Sequence, residues 1–182
     1  MVGAFTLPIL AETNWLFGPN EGYFVNSAMT NSQQLAGRLR EVLLDGRWVA
    51  NTNYREQLES IDWKVATSNP SGVNSIAVLA QHIHYYAAGV KQVFEGGPLQ
   101  ISDQYSFDFP AITSQTQWID FLERFWQDSR ALIEHVAALT DERLEAPFVD
   151  EQYGDYRRNI NGMIEHCYYH LGQIVLLKKR MT

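Results

Sequence analysis

Two histidines near the end of the chain, His166 and His170, stand four residues apart in a segment with a helical pattern. That spacing places both imidazoles on one face of a helix, with about 5–6 Å between their Cβ atoms. Two imidazoles so placed can reach one metal ion, because zinc–nitrogen bonds are about 2.0–2.1 Å long. The pair alone is weak evidence, since ordinary histidines on a helix surface show the same spacing.

The position of His170 strengthens the case, because it borders the apolar stripe of its helix and is expected to face inward. A buried imidazole needs partners for its ring nitrogens, and a metal ion, a carboxylate or a backbone carbonyl would each serve. A third ligand should come from another helix, where His82 and His84 are available. We prefer His82, because it shares a face with inward-facing Leu79 and Tyr86.

Other residues have predicted roles around these imidazoles. Metal-bound histidines are oriented by groups that bind their second nitrogen, and Glu165, Gln173 and Tyr86 are the candidates. His135 lies beside Glu134 near the end of a predicted helix, where we interpret it as a surface or capping residue.

Three neutral imidazoles would leave one coordination position open. An open position is typical of catalytic metal sites, whereas structural zinc sites have four protein ligands. Water or a thiolate bound there could act as a nucleophile. Tyr85 or Tyr86 would then be the candidate proton donor.

Four segments with a helical period must position these residues. They run roughly from Gly22 to Asp45, from Asn74 to Glu95, from Gln115 to Leu139 and from Asn159 to Arg180. Asn74 is a plausible cap of the second segment. Ser114 and Gln117 resemble a capping box at the start of the third.

The connections between these segments are long. Short helices are expected at Tyr54–Leu58, at Ile61–Ala66 and for one turn after Thr140, followed by a turn at Gly154. Strand signals are weak, because the alternating segment Tyr105–Phe109 is followed by proline and has no evident partner. The sequence therefore predicts an all-α fold, with residues 1–182 forming one domain.

Composition excludes several classes of function. The net charge is -7 and the one short basic run, Lys178–Arg180, suits a helix C-terminus, so nucleic acid is not an expected partner. No stretch approaches the ~20 apolar residues of a membrane span. The apolar residues 1–11 lack a basic leader region and are expected to pack on the core. Cys167 is the single cysteine, expected as a small core residue in a reducing cytoplasm.

Several motifs resemble those of the DinB-like superfamily. Glu165–Ile174 resembles its last-helix motif, in which the second histidine of His-x-x-x-His precedes Gly-Gln-Ile, and Asn74–Ile83 resembles its second-helix motif, which carries the first metal ligand. Segments within Gly96–Pro110 and Phe148–Ile160 resemble a bacterial subgroup from which no activity carries over. The resemblance covers roughly Asn53 to Lys179.

The resemblance implies a four-helix bundle in up-down-down-up order, with a long crossover between the second and third helices. It also implies one zinc or nickel ion at His82, His166 and His170, and a homodimer. Characterised members are thiol-dependent: some transfer a low-molecular-weight bacterial thiol, and one isomerises maleylpyruvate with such a thiol. The family name records induction by DNA damage and does not imply DNA binding.

These observations give three hypotheses. The first is a metal-dependent enzyme, either a thiol S-transferase or a related hydrolase, acting on a small molecule. The second is a stress-related binding module, in which a structural or vestigial metal accompanies an aromatic pocket. The third is an interaction bundle without metal, whose histidines are satisfied by hydrogen bonds.

Overall fold

The computed structural model describes residues 29–69 and 72–181, and these form an all-α fold. Its helices are α1 (Asn31–Arg40, continued by a π-helical turn at Glu41–Asp45), α2 (Tyr54–Glu59), α3 (Trp63–Thr67), α4 (Ile76–Phe94), α5 (Gln115–Ala137), α6 (Asp141–Glu145) and α7 (Tyr156–Met181). Short 3-10 turns occur at Asp103–Tyr105 and Glu151–Tyr153. Within the described residues there is no strand, only an isolated bridge between Pro147 and Asp155.

The first helix of the described residues does not include residues 29 and 30, which the apolar pattern placed in a helix. It begins at Asn31, because Thr30 and Gln33 form a capping box that satisfies the free backbone N–H groups there. Residues 22–28 of the predicted helix lie outside the described residues, as do residues 1–11, which were expected to pack on the core.

The caps of the next two long helices differ in detail from the predictions. Ser75, rather than the predicted Asn74, caps α4 by accepting a hydrogen bond from the Val78 N–H. Ser114 caps α5 as predicted, but Gln117 accepts from the backbone and hydroxyl of Thr113 and so does not complete the box. Both helices still lie within a few residues of their predicted bounds.

The four long helices pack in sequence around one core. Helix α1 packs against α5, α5 against α4, α4 against α7, and α7 against α1. Apolar side chains from all four are fully or almost fully buried between them, including Leu39, Val42, Ile83, Phe125, Leu132 and Ile164. Burial of this kind supplies most of the stabilisation of such helices.

The short α2 ties the core to the last helix. Its Tyr54 is fully buried, and the Tyr54 hydroxyl donates a 3.0 Å hydrogen bond to the carbonyl of Cys167. Cys167 itself is fully buried, so burial raises the pKa of its thiol far above the usual range. The Cys167 side chain is therefore a neutral core group between the two histidines of α7.

The connection between α4 and α5 lies close to α4 instead of looping away. Gly89 permits this approach, because a Cβ atom added at Gly89 would overlap the Ile101 side chain. The connection thereby brings Ser106 and Phe107 to the inner face of α4. No helix among residues 29–69 and 72–181 has the length and apolar character required to cross a membrane.

Candidate metal centre

Three histidines from two helices converge at one point between α4 and α7. One ring nitrogen each from His82 on α4 and from His166 and His170 on α7 lies within 4.8 Å of the other two. The ring centroids are 4.7–4.9 Å apart. His82 and His170 are buried, and His166 is half-buried. The three residues selected from the sequence therefore form a group that could hold a metal ion.

Hydrogen bonds define the protonation of two of these rings. The Nδ1 atom of His82 lies 2.7 Å from the carbonyl oxygen of Ser106, which can only accept, so Nδ1 carries the hydrogen. The Nδ1 atom of His170 likewise lies 2.7 Å from Oε1 of Gln173. In both neutral rings the Nε2 lone pair is left for the centre of the cluster. A metal-bound histidine is held in the same way by its other nitrogen.

The electrostatics of the cluster favour neutral imidazoles. Burial lowers the pKa of His82 and of His170 from the ordinary value. For His166, burial together with the charges that His170 and His82 would carry lowers the pKa to about 4. All three rings are therefore uncharged near neutral pH, as ligands to a divalent cation must be.

The donor set and spacing fit one divalent ion. The Nε2 atoms of His82 and His166 are 3.0 Å apart. Two metal–nitrogen bonds of about 2.0–2.1 Å at a tetrahedral angle would separate these nitrogens by about 3.3 Å. For this pair of nitrogens a shift of a few tenths of an ångström would accommodate the ion, and three imidazoles suit several first-row transition metals.

Aromatic groups surround the cluster. Phe107 stacks on His82 with ring centroids 4.1 Å apart and an interplanar angle of 10°. Tyr86 contacts the rings of both His82 and His166 at 5.0 Å, and its hydroxyl donates a 2.5 Å hydrogen bond to Asp103. Burial and the Asp103 carboxylate raise the pKa of Tyr86 to about 12, so its hydroxyl keeps its proton at neutral pH.

A cavity of about 720 Å³ opens beside the histidines. Its wall includes His166, Tyr86 and Asp103 at one end, and it extends along α7 past Gly162 to Arg158. This volume lies within the range of small-molecule sites, about 300–1,000 Å³. The cluster thus borders a space that could hold a small substrate.

The other candidates from the sequence lie in different surroundings. His84 Nε2 lies 2.7 Å from the carboxylate of Asp128, away from the three-histidine cluster. His135 lies 3.7 Å from a carboxylate oxygen of Glu95. The Tyr85 hydroxyl exchanges hydrogen bonds with both backbone groups of Ser102. Glu165 is exposed in the cavity wall beside His166.

Three residues around the cluster were not identified from the sequence. Ser106, Phe107 and Asp103 belong to the long connection before α5, where no helical period predicts which side chains face the histidines. Proline and glycine near this connection indicated only a loop. Their positions depend on the close approach of that loop to α4.

The fold and this site define a helical bundle with a three-histidine cluster suited to a metal ion. The model of the DinB superfamily matches residues 31–174, which include all of α1–α6, most of α7 and all three histidines. The chain belongs to the DinB superfamily. No match to the chain was found among curated proteins or among solved structures.

Proposed function

We propose that the protein is a mononuclear metalloenzyme, with one zinc or nickel ion bound by His82, His166 and His170. The observation that carries this proposal is the convergence of the three histidine nitrogens beside a cavity, with two of the rings held by Ser106 and Gln173. Three protein ligands leave a coordination position for water or substrate, as in catalytic sites.

The proposed reaction is transfer of a low-molecular-weight thiol to an electrophilic small molecule, or a related hydrolysis. Membership of the DinB superfamily supports thiol chemistry, because its characterised members are thiol-dependent. A bound divalent ion supplies Lewis acidity, which favours the ionised form of a thiol or water. The same family likeness supports the up-down-down-up helix order and a homodimer.

Residues of this chain would prepare the site for that reaction. Ser106 and Gln173 orient the rings, while Phe107 covers one face of His82 and excludes water from it. We assign the proton-donor role to Tyr86 in preference to Tyr85. The Tyr86 ring lies against two of the histidines and in the wall of the cavity beside them, whereas Tyr85 lies in the wall of a different cavity.

The proposed function is tested with metal-loaded protein, cysteine as the thiol donor and an activated aryl chloride as the electrophile. In this reaction a carbon–sulfur bond forms, the carbon–chlorine bond breaks, chloride leaves with the electron pair and the thiol proton passes to the buffer. We expect activity that chelation or His82→Ala abolishes and that the control His135→Ala retains. Activity that His82→Ala leaves unchanged would contradict the proposal.

The alternative of a non-catalytic module makes a different prediction. There the ion would be structural, and chelation would unfold the protein globally, as in domains that fold only with metal. The large apolar core favours a chain that stays folded without the ion. Retention of the helical circular dichroism after chelation, together with loss of activity, separates the two roles.

A further inference from the structure

The cavity beside the histidines is elongated along α7. Arg158, Gly162 and His166 are spaced four residues apart, so they lie in one row on the helix, and all three line the cavity. Eight residues of α-helix span about 12 Å between the backbone positions of Arg158 and His166. A molecule that reaches both residues must therefore be extended rather than compact.

Gly162 keeps the middle of this path open. It lies inside the 26-residue α7, where glycine is less favourable than every residue except proline. In the described part of the chain, no atom beyond its chain neighbours and the nearby backbone of its own helix lies within 4 Å of where its Cβ would be, so close packing does not explain the glycine. Gly162 is exposed in the cavity wall, and without a side chain there a ligand can pass close to the helix backbone.

The two ends of the cavity differ in charge. Arg158 is exposed, and its guanidinium makes no ion pair or hydrogen bond with the described residues. Its neighbour Arg157, by contrast, is paired with Glu145 at 2.6 Å. At the histidine end the wall carries the carboxylates of Asp103 and Glu165.

Apolar side chains form much of the remaining wall, which also contains the polar Tyr153, Asn159 and Asn161. Buried Val90, Phe148 and Met163 line it, together with Leu99 and Ile101 from the connection before α5. An alkyl or similar apolar segment would gain free energy by leaving water here. The wall thus combines a histidine nitrogen at one end, a group of apolar side chains, and at the other end a guanidinium that has no partner among the described residues.

We propose that this cavity selects an elongated thiol whose far end carries a carboxylate or another anionic group, bound by Arg158. The thiol sulfur lies at the three-histidine end, the apolar middle of the molecule crosses Gly162, and the anionic end pairs with the guanidinium. The planar guanidinium suits a carboxylate because it can donate two parallel hydrogen bonds. This proposal rests on the proposed function, since it requires a metal-bound thiolate at the histidines.

The experiment measures thiol binding without turnover. Protein loaded with cobalt(II) is titrated with ω-mercaptooctanoate or with ω-mercaptooctanol, and binding is followed by the thiolate-to-cobalt charge-transfer absorption. The two probes have the same chain length and differ in terminal charge. We expect the carboxylate probe to bind about fivefold more tightly at low ionic strength, the upper range for an exposed ion pair, and the difference to shrink with added salt.

Two arginine variants test whether Arg158 causes the difference in affinity between the two octyl probes. Arg158→Gln should remove the difference between the probes, whereas Arg157→Gln, the matched control, should preserve it. The short probe β-mercaptopropionate, which cannot reach Arg158, should bind equally well to wild type and Arg158→Gln. Melting temperatures of both variants verify folding.

The outcomes separate this proposal from the function it rests on. If both octyl probes bind the cobalt with equal affinity, or if the preference survives in Arg158→Gln, the anionic-end proposal is wrong and the thiol function stands. If neither the octyl probes nor β-mercaptopropionate gives a charge-transfer band, the thiol function is wrong and this proposal falls with it.

Discussion

The Nε2 atoms of His82 and His166, which are 84 residues apart in the sequence, face each other at 3.0 Å. The His82 nitrogen is a lone-pair acceptor there, because its Nδ1 hydrogen is donated to the Ser106 carbonyl. Without a metal, His166 must supply the hydrogen between them. With a metal, both lone pairs can bind the same ion. The pair is therefore arranged for either a shared proton or a shared cation.

The Gln173 side chain should tune metal affinity although it does not reach the ion. Its amide oxygen fixes His170 by a 2.7 Å contact to Nδ1. We expect Gln173→Leu to weaken metal binding by about 10–100-fold, because the His170 ring loses its orienting partner. Competition against a chromophoric chelator measures this change.

A conservative variant provides the control for that result. Gln173→Glu retains an acceptor for the His170 Nδ1 hydrogen and should keep most of the affinity. Equal metal affinity in wild type and Gln173→Leu would show that this hydrogen bond does not position the ligand.

The stability of the metal-free protein should depend on pH through the histidine cluster. The pKa of His166 is lowered to about 4 by burial and by the neighbouring His170 and His82. An unfolded histidine has a pKa of about 6.5, so between these values the unfolded state binds more protons than the folded state. The free energy of unfolding should therefore fall as the pH decreases from about 6.5 to about 4.

Urea denaturation of chelated protein across this range measures the effect. His166→Gln should reduce the slope against pH, while His135→Gln, which alters a histidine outside the cluster, should retain it. An identical slope in wild type and His166→Gln would contradict the assignment.

Two helical glycines should respond in opposite ways to alanine. Gly89→Ala should destabilise the protein by about 1–3 kcal/mol, because the new Cβ would overlap Ile101 in the connection that forms the cavity wall. Gly162→Ala should stabilise it by up to about 1 kcal/mol, because it adds helix propensity in open space. Urea midpoints of the two variants provide this comparison, and destabilisation of equal size in both would contradict it.

The helical period predicted the long helices and the faces that carry the histidines, because both depend on local sequence, and the family resemblance supported the choice of His82. The spacing of His166 and His170 defines one face of α7, and the inward face of α4 selects His82 over His84. The start of α1 and the cap of α4 were misplaced, since Thr30 and Ser75 compete with equally plausible neighbours.

The positions of the residues around the three histidines depend on tertiary contacts. Ser106 and Phe107 reach His82 only because the connection lies against α4 at Gly89, a long-range contact without a sequence period. The cavity between this connection and α7 arises in the same way. Residue spacing could therefore predict the histidine cluster but not the charge pattern of the cavity beside it.

Metal content tests the three-histidine site most directly. Tag-free wild type and His166→Ala are each purified without chelator, reconstituted with zinc or nickel, freed of excess ion and measured by elemental analysis. The site predicts about one ion per wild-type chain and a large loss in His166→Ala, since two imidazoles hold the ion far less tightly than three. Less than about a tenth of an ion per wild-type chain, or equal content in both proteins, would contradict it.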